Sequence, residues 1–253
     1  MKVILYTCIT KGYDSFPPSV LEGNKFDHCV LFTDDHSISS LTWEVRELAS
    51  PRTVKRADHI NRYHKLFAES LFPGADISIY IDGNVDLIGD ISSLVKEFAD
   101  SGALFGCLIH PQRNSVLEET QACRKLGKFK GGDAELVNEQ LLKQSKEGFP
   151  SGYPLFAATV LFRRHNIGKE LNLAMSLWWE QVNHYTCRDQ LSLPYVLWKT
   201  QLPYKAFNIN IFDNTYFCRR SHQEQKSIKS VLRKVAVSGV KSIVRFKDSI
   251  INK

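Results

Sequence analysis

The sequence predicts an α/β fold in which a mostly parallel β-sheet is flanked by helices. Two observations lead to this prediction. Short runs rich in β-branched and aromatic residues alternate along the chain with segments whose apolar residues recur at helical spacing. The apolar fraction of 43% in 253 residues is sufficient for one large core. Alternating strands and helices favour a parallel sheet covered on both faces, whose ligands bind beyond the carboxyl ends of the strands.

The predicted strands are short apolar runs bounded by polar or turn-forming residues. The first, over residues 2–9, is almost continuously apolar, and the second ends at Thr33-Asp34-Asp35. The last follows a loop rich in glycine and proline between residues 148 and 154. The predicted strands cover residues 2–9, 27–33, 42–47, 77–82, 103–109 and 155–162.

The predicted helices each carry an apolar stripe. In the helix over residues 57–70 the stripe consists of Ile60, Tyr63, Leu66, Phe67 and Leu71. Ser115 and Glu118 fit a capping box at the start of a later helix, which leaves Glu119 as charged helix surface. The predicted helices cover residues 57–70, 91–99, 114–126, 133–146, 166–183 and 189–199.

The net charge of +6 is unevenly distributed along the chain. Residues 219–253 contain ten Lys and Arg against two acidic residues, which leaves 23 basic and 25 acidic residues in 1–218. A nearly neutral globular part argues against a nucleic-acid-binding module. The cysteines lack Cys-x-x-Cys spacing, and we expect reduced thiols rather than a disulfide or zinc framework. No apolar run reaches transmembrane length, and we expect no signal peptide at the N-terminus.

The most informative stretch is the apolar strand over residues 77–82, which runs directly into Gly83 and Asn84. If the strand geometry continues, the side chains of Asp82 and Asn84 point the same way, because side chains alternate along a strand. Their oxygens are ligands that hard cations such as Mg²⁺ and Mn²⁺ prefer. The same three residues also fit an ordinary turn after a strand, and spacing alone favours the turn.

Other polar residues converge on the same predicted edge of the sheet. The stretch from Tyr6 to Tyr13, which includes Thr7, follows the first strand, and Asp34 and Asp35 follow the second. His110 follows the predicted strand over 103–109. These positions are where a ligand of a parallel sheet binds, although each residue also has an ordinary structural interpretation.

Basic residues cluster just before and within the helix that precedes Asp82. Arg62 and Lys65 are three positions apart and therefore share a helix face. A nucleoside diphosphate requires such cations, and arginine binds phosphate in a bidentate manner. The alternative is a solvated helix face.

Several separated motifs together resemble the glycosyltransferase-like family formerly named domain of unknown function 616. The resemblance covers residues 1–222. The motifs are the segment from Asp58 to Pro73, Tyr80-Ile81-Asp82-Gly83-Asn84, His110-Pro111-Gln112-Arg113-Asn114, Arg163-Arg164-His165-Asn166 and Arg188-Asp189-Gln190-Leu191-Ser192. The family has relatives in bacterial surface-polysaccharide and plant wall-polysaccharide synthesis. The resemblance implies a GT-A-like, Rossmann-like catalytic domain over residues 1–222 that uses a nucleotide sugar.

The resemblance also implies roles for individual residues. Asp189 is the candidate catalytic carboxylate, either as general base or as stabiliser of positive charge on the sugar; the alternative is a helix cap. His222 completes the metal site with Asp82 and Asn84. The donor is expected to contact Thr7, Asp34, Asp35, Arg62, Lys65, Asp82 and Gly83. The acceptor or the transferred sugar is expected to contact His110, Arg113, Arg188 and Gln190.

The second position of the Asp-x-Asp pattern is Asn84, which brings no charge. A site for Mn²⁺ or Mg²⁺ would be one negative charge poorer, although Asp86 could compensate. Catalysis without a metal, in which Arg or Lys neutralises the diphosphate, therefore stays open. Two alternative hypotheses for the function are a metal-dependent hydrolase of a lipid or sugar substrate and a non-enzymatic membrane- or nucleic-acid-binding module.

The C-terminal segment over residues 223–253 is predicted to be a basic amphipathic helix. Its apolar positions are Ile228, Val231, Leu232, Val235, Ile243, Val244 and Phe246. Lysines and arginines interleave with them, a pattern typical of helices that lie on anionic membranes. We therefore expect a cytoplasmic enzyme held peripherally on the inner face of the membrane, with a glycan or glycolipid acceptor and no nucleic-acid partner. The alternative is a stripe that packs on the catalytic domain.

Overall fold

The computed structural model describes residues 1–15, 23–165 and 168–220. The strands are β1 (Val3–Ile9), β2 (His28–Thr33), β3 (Glu44–Arg46), β4 (Ile77–Ile81), β5 (Val85–Leu87), β6 (Phe105–Ile109), β7 (Phe156–Arg164), β8 (Tyr204–Phe207) and β9 (Phe217–Arg219). The helices are α1 (Ala57–Leu66), α2 (Ala68–Leu71), α3 (Ser92–Asp100), α4 (Val116–Lys125), α5 (Asp133–Lys146), α6 (Glu170–His184) and α7 (Leu193–Thr200). A 3₁₀ turn, Asp189–Leu191, precedes α7.

The main sheet has seven strands in the order β3-β2-β1-β4-β7-β6-β8. Only β7 among them runs against the others, because it is antiparallel to both β4 and β6 while the remaining pairs are parallel. The prediction of a mostly parallel α/β sheet flanked by helices is therefore confirmed. The carboxyl ends of β1, β2, β4 and β6 share one edge, and the chain leaves that edge at Thr10, Asp34, Asp82 and His110.

The sequence located the long elements and missed the short ones. The helix predicted over 57–70 is interrupted at Phe67, whose φ of −98° and ψ of 44° leave the helical region and divide it into α1 and α2. The helix predicted over 189–199 begins instead as a 3₁₀ turn, and α7 starts at Leu193 with Pro194 in its first turn. Strands β5, β8 and β9 were not predicted because three or four residues carry too little periodicity.

Apolar side chains cover both faces of the main sheet. One core contains Tyr6, Phe105 and Trp178. The other core contains Leu5 and Phe162. Side chains of successive residues on a strand point to opposite faces, which is why neighbouring residues of β1 belong to different cores. With both faces buried, the polar chemistry is confined to the edge where the strands end.

A second, two-stranded sheet pairs β5 with β9 and closes the chain over the strand end at Asp82. Gly89 continues this contact, since its amide donates to the carbonyl of Tyr216 at 3.2 Å. A Cβ atom placed on Gly89 would lie 2.1 Å from the carbonyl oxygen of Thr215. Because backbone cannot retreat as a flexible side chain can, the small sheet requires glycine at this position.

Residues Met1–Ser221 form one compact unit. The predicted amphipathic helix in 223–253 lies outside the described residues, and so does His222. Within the described part of the chain no helix is long and apolar enough to cross a membrane. Each of the six cysteines is a free thiol, as expected from their spacing.

Substitution Gly89→Ala is expected to destabilise the protein by about 1–3 kcal/mol, the usual cost of forcing atoms into a packed site. Thermal or urea unfolding of the purified variant measures the effect. The matched control is Gly74→Ala, where an added Cβ meets no atom within 4 Å. Equal stability of the two variants would contradict the close approach of Gly89 to Thr215.

Candidate functional site

Four charged side chains meet at the carboxyl edge of the sheet. The ammonium of Lys65 lies 3.1 Å from Oδ1 of Asp82 and 2.7 Å from Oδ2 of Asp189. Nε of Arg62 lies 3.2 Å from the same oxygen of Asp189. The Lys65 side chain is 1% exposed, whereas 26% of the Asp82 side chain is exposed. Two cations and two carboxylates form a charge-balanced group, which we call the Lys65 cluster, that reaches solvent mainly at Asp82 and Arg62.

Helix α1 places both cations of the cluster, and β7 fixes the end of that helix. Arg62 and Lys65 share one helix face because they are three residues apart. The carbonyl of Lys65 accepts hydrogen bonds from NH2 of Arg163 at 2.5 Å and from the hydroxyl of Tyr6 at 3.3 Å. These donors satisfy a carbonyl that the helix leaves without an internal partner near its end. The Lys65 ammonium also lies 5.2 Å from the centre of the Tyr80 ring.

Asp189 is held at the start of the 3₁₀ turn by bonds to its backbone and side chain. Its carbonyl accepts from Nε1 of Trp178 at 3.0 Å and from the hydroxyl of Ser192 at 3.1 Å. Its Oδ1 accepts from the amide of Gln190 at 3.0 Å. Asp189 therefore does satisfy a local amide, as the helix-cap interpretation proposed. Its Oδ2 is used differently, because it faces Lys65 and Arg62.

The charges of the cluster stabilise one another. Burial by itself raises the pKa of Asp189, but Arg62 and Lys65 outweigh burial and lower that pKa to about 2. Burial likewise disfavours the charged form of Arg62, and the carboxylates of Asp189 and Asp82 outweigh it and raise the Arg62 pKa. Asp189 is therefore a carboxylate at every physiological pH. A carboxylate with so low a pKa accepts protons poorly near pH 7.

The turn after β4 packs against the loop that follows β1. A Cβ on Gly83 would lie 2.8 Å from Cγ1 of Ile9 and 2.9 Å from Oδ2 of Asp14. The carboxylate of Asp14 therefore lies directly beside the Asp82-Gly83-Asn84 turn. Sequence reasoning did not single out Asp14, since a loop aspartate carries no periodic signal. Gly83 contributes through its small size and through its carbonyl, rather than through a side chain.

Arg220 ties the turn to the end of the small sheet. Its NH2 donates to the carbonyl of Gly83 at 2.8 Å, and its Nε lies 2.8 Å from Oδ1 of Asp86. Its carbonyl accepts from Nδ2 of Asn84 at 2.9 Å, and its amide donates to the carbonyl of Asn84 at 2.8 Å. Asn84 is 2% exposed. The amide of Asn84 thus holds the chain near residue 220 in place.

Neither Asp82 nor Asp86 offers an unpaired carboxylate to a divalent cation. The carboxylate of Asp82 is paired with Lys65, and that of Asp86, which was expected to compensate for Asn84, is paired with Arg220. A hard cation needs several oxygens and a local excess of negative charge, whereas here lysine and arginine neutralise both carboxylates. The predicted ligand His222 lies outside the described residues.

A second charged group lies beside Asp189 and is built on Glu119. The prediction that Glu119 lies on the helix surface is wrong, because its side chain is 2% exposed. Nε of Arg113 pairs with Oε2 of Glu119, and NH2 of Arg188 lies 3.8 Å from Oε1. NH2 of Arg113 also lies 3.1 Å from Nε2 of His110. Burial, followed by the charge of Arg113, lowers the pKa of His110 to about 4, so this imidazole is neutral at pH 7.

Two buried donors flank Asp189. Within the described part of the chain, neither Nε of Arg188 nor Nε2 of Gln190 has a hydrogen-bond partner. A buried donor without a partner costs about 1–3 kcal/mol, so a structure tolerates it mainly where a ligand or water supplies the acceptor. Both residues were predicted to contact the acceptor or the transferred sugar.

The remaining predicted donor contacts are placed less favourably. Thr7 is fully buried within β1, so the structure does not present it to a ligand, contrary to the prediction. Oδ1 of Asp34 accepts from the amide of Lys11 at 2.8 Å and joins the ends of β1 and β2. Oδ1 of Asp35 accepts from the amide and the hydroxyl of Ser37 at 2.9 and 2.6 Å, and these bonds lower its pKa. Both aspartates remain exposed at the predicted edge.

The structural role of Arg163 was not predicted from the sequence. The sequence analysis named it only as part of a motif. In the structure its side chain is 1% exposed and donates a hydrogen bond to the backbone carbonyl of Lys65. Glu119 on α4 and Arg163 on β7 could have been suspected from one signal, namely charged residues at apolar positions of a helix or strand. Ser115 and Glu118 do form the predicted cap, with the Glu118 amide 3.2 Å from the Ser115 hydroxyl.

Residues 52–226 match the family described as TOD1/MUCI70, glycosyltransferase-like domain. The chain belongs to this family. It was formerly named domain of unknown function 616, so the family predicted from the motifs is confirmed.

The chain is also similar to two individual proteins. The "Probable hexosyltransferase MUCI70" of Arabidopsis thaliana is 30% identical over 134 residues, which are 51% of this chain and 23% of the relative. The chain thus matches less than a quarter of the length of that relative. The crystal structure of mouse xyloside xylosyltransferase 1, apo form, overlaps with a TM-score of 0.44 at 12% identity, covering 81% of this chain and 84% of that one.

Substitution Asp189→Asn is expected to lower the free energy of unfolding by about 3–5 kcal/mol at pH 7, because the buried Lys65 and the partly buried Arg62 lose their shared counterion. The folded pKa of about 2 lies below the ordinary 3.8, so the stabilisation by Asp189 is complete above pH 4 and is lost as the pH falls towards 2. The stability difference between wild type and variant should therefore shrink by about 2 kcal/mol over that range.

Urea unfolding of both proteins between pH 5 and 2 measures this difference. The exposed loop variant Asp213→Asn is the matched control and should differ little from wild type at either pH. A destabilisation by Asp189→Asn that is independent of pH would show that the carboxylate is not paired as the distances indicate.

Proposed function

We propose that this family member is a glycosyltransferase that moves a hexose from a nucleoside-diphosphate sugar to a glycan or glycolipid acceptor. The observation that carries the proposal is the Lys65 cluster, in which Lys65 joins Asp82 at a strand end to the buried Asp189. Membership of a glycosyltransferase-like family supports the reaction class, and the relative named a probable hexosyltransferase supports the sugar class. The mostly parallel sheet, whose strand ends gather the polar residues, is compatible with a GT-A-like site.

The cluster can supply the charges that glycosyl transfer requires. The bond between the sugar C1 and the diphosphate oxygen breaks, and a new bond forms between C1 and the acceptor hydroxyl oxygen. The leaving diphosphate keeps the electron pair of the broken bond, and the proton of the acceptor hydroxyl passes to an oxygen of the leaving diphosphate or to water. Arg62 and Lys65 offset the negative charge that develops on the leaving group, while Asp189 stabilises positive charge on the sugar ring. Since Asp189 stays ionised, it provides this charge throughout the neutral pH range.

Flanking residues can hold the two substrates. Asp34, exposed at the end of β2, is suited to hydrogen-bond a ribose hydroxyl. The buried donors of Arg188 and Gln190 are suited to hydroxyl oxygens of the transferred sugar. His110 and Arg113 lie on the same side of the site as Arg188. His110 contacts Arg113, Arg113 pairs with Glu119, and Glu119 in turn pairs with Arg188 and orients it.

The use of Mn²⁺ or Mg²⁺ stays a prediction. The paired state of Asp82 and Asp86 favours the alternative in which Lys65 and Arg62 neutralise the diphosphate. If a metal binds, the residues that would have to hold it include Asp82, Asn84 and His222, and it would supply further charge compensation. No step above depends on it.

The metal-dependent hydrolase is the less favoured function, because the carboxylates that it would need are paired with cations. A nucleotide distinguishes the two. A transferase should be stabilised against thermal unfolding by UDP or GDP, with or without Mn²⁺, whereas a hydrolase of lipid or sugar esters has no nucleotide site.

The test of the proposal is release of the nucleoside diphosphate from a panel of nucleotide sugars, with and without Mn²⁺. Wild type is expected to hydrolyse at least one donor slowly. Lys65→Met and Asp82→Ala are each expected to reduce the rate by about 10²-fold or more, because each removes a charge at the reacting centre. The control is Lys143→Met on the exposed face of α5, which should retain the wild-type rate.

Circular dichroism must show that the variants stay folded, since Lys65→Met leaves two carboxylates without their shared cation. The conservative variant Lys65→Arg serves for comparison and should retain more activity than Lys65→Met if charge is what matters. A folded Asp82→Ala protein with near wild-type hydrolysis would refute the role of this edge of the sheet.

We further propose that residues 226–253 dock the enzyme on anionic membranes at the cytoplasmic face. The support is their basic amphipathic pattern, since each Lys or Arg near an anionic surface contributes about 1 kcal/mol. Full-length protein should sediment with phosphatidylserine vesicles at low salt, and a protein lacking 226–253 should remain in solution and still bind nucleotide. If the full-length protein does not sediment with the vesicles, or if the truncated protein misfolds, the apolar stripe belongs to the core instead.

A further inference from the structure

A cleft of about 350 Å³ lies at the amino-terminal end of α1, apart from the Lys65 cluster itself. The residues that line it include Lys55, Arg56, His59, Trp179 and Asn183. Neither Asp82 nor Asp189 belongs to the lining, so the cleft is a separate feature of the surface. Its volume is within the range of small-ligand sites.

The aromatic wall of the cleft is held in place by its neighbours. Trp179 follows Trp178, and although the two are adjacent on α6 they have different surroundings. Trp178 is fully buried in the core, whereas Trp179 is only partly buried and faces the cleft. The Trp179 ring makes edge contacts with Tyr63 and Phe67, with ring centres 6.0 and 5.9 Å apart. A fixed, partly exposed indole is a surface on which the apolar face of a sugar ring can stack.

The polar part of the cleft is basic. Arg56 is held at the rim by two bonds to Asp58, at 3.0 and 2.6 Å. Lys55 is exposed, and no carboxylate of the described residues pairs with it within 4.0 Å. Burial, followed by the charge of Arg56, lowers the pKa of His59, so its ring is neutral and can both donate and accept hydrogen bonds. Asn183 adds an amide with the same two capacities.

The cleft adjoins the Lys65 cluster through α1 and Cys187. His59 and Arg62 are three residues apart on one face of α1, a rise of about 4.5 Å along the helix. Polar atoms of Asp58, His59 and Cys187 lie within 4.8 Å of one another, and the Cys187 carbonyl accepts from Nε of Arg62 at 3.2 Å. A molecule seated in the cleft therefore lies one helical turn from a cation of the cluster.

The group of Asp58, His59 and Cys187 is better explained by structure than by a metal ion. Asp58 is already engaged by Arg56, which would have to be displaced. Burial, followed by the charge of Asp58, raises the pKa of the Cys187 thiol, so the thiolate that a metal requires is disfavoured. Because Asp58 neutralises Arg56, the unpaired positive charge at the rim is, among the described residues, that of Lys55, which can attract an anion.

We propose that this cleft is the acceptor subsite and that it takes a sugar residue bearing an anionic group, either a carboxylate or a phosphate ester. Trp179 stacks on the ring, Lys55 pairs with the anion while Arg56, held by Asp58, adds a second donor at the rim, and His59 and Asn183 hydrogen-bond the hydroxyls. The acceptor role rests on the proposed function, whereas recognition of an anionic sugar rests on the cleft alone. The bound residue is placed so that a hydroxyl can approach the sugar held at the Lys65 cluster.

The experiment measures binding of glucuronate, glucose 6-phosphate and glucose to the full-length protein by saturation-transfer NMR or calorimetry. At least one anionic probe is expected to bind about tenfold more tightly than glucose, the size of effect expected for one well-placed charge pair. Comparison of glucuronate with glucose 6-phosphate distinguishes the carboxylate from the phosphate ester.

Three variants assign the binding to the cleft. The double variant Lys55→Gln, Arg56→Gln should lose the preference for anionic probes. Trp179→Phe, which keeps a ring between Tyr63 and Phe67, should weaken all three probes several-fold. The matched control Lys143→Gln, Lys146→Gln removes two exposed positive charges from α5 and should bind as wild type does.

Two results would overturn the inference. The first is equal binding of anionic and neutral probes, or an anion preference that survives the double variant. The second is displacement of the probes by UDP, which would assign the cleft to the donor. Donor hydrolysis by wild type is measured in parallel. If hydrolysis is absent while the cleft still prefers anionic sugars, the proposed transfer reaction and the acceptor role are refuted. The cleft is then still a binding site for an anionic sugar.

Discussion

The buried ammonium of Lys65 is the interaction on which the arrangement of this site depends. A lysine that is 1% exposed is tolerated only with counterions, and here two carboxylates from distant parts of the chain supply them. Removing one partner of such a buried group costs about 3–5 kcal/mol, which is a large part of the stability of a typical domain. The same contact therefore holds α1, the end of β4 and the 3₁₀ turn together and assembles the proposed catalytic charges.

Hydrogen bonds to the backbone of Lys65 fix the position of its buried charge. Arg163 on β7 and Tyr6 on β1 both bond to the Lys65 carbonyl, so the end of α1 is tied to two strands of the sheet. On the other side of Asp189, Glu119 orients Arg188, which in turn pairs with no other carboxylate of the described residues. The charged groups are thus anchored to the sheet on their buried side and open to solvent at Asp82.

Charge balance within the cluster also limits the chemistry. With Asp82 and Asp189 both paired with Arg62 and Lys65, the cluster itself has no excess negative charge with which to attract a divalent cation. The same balance keeps Asp189 ionised and makes it a weak base. In the proposed reaction a nucleoside diphosphate, which carries its own negative charge, would compete with Asp82 and Asp189 for the one lysine and the one arginine of the cluster.

Local sequence determined the long elements, the strand ends and the family, because helical and strand periodicity and short motifs are contained in neighbouring residues. It also located Arg62, Lys65, Asp82 and Asp189 individually. It could not determine that one lysine bridges both aspartates, that Glu119 is buried or that Asn84 holds Arg220, because each contact joins segments far apart in the chain. Those pairings follow from the order of the strands in the sheet and from the antiparallel direction of β7. Long-range packing sets both, and a short stretch of sequence contains no information about it.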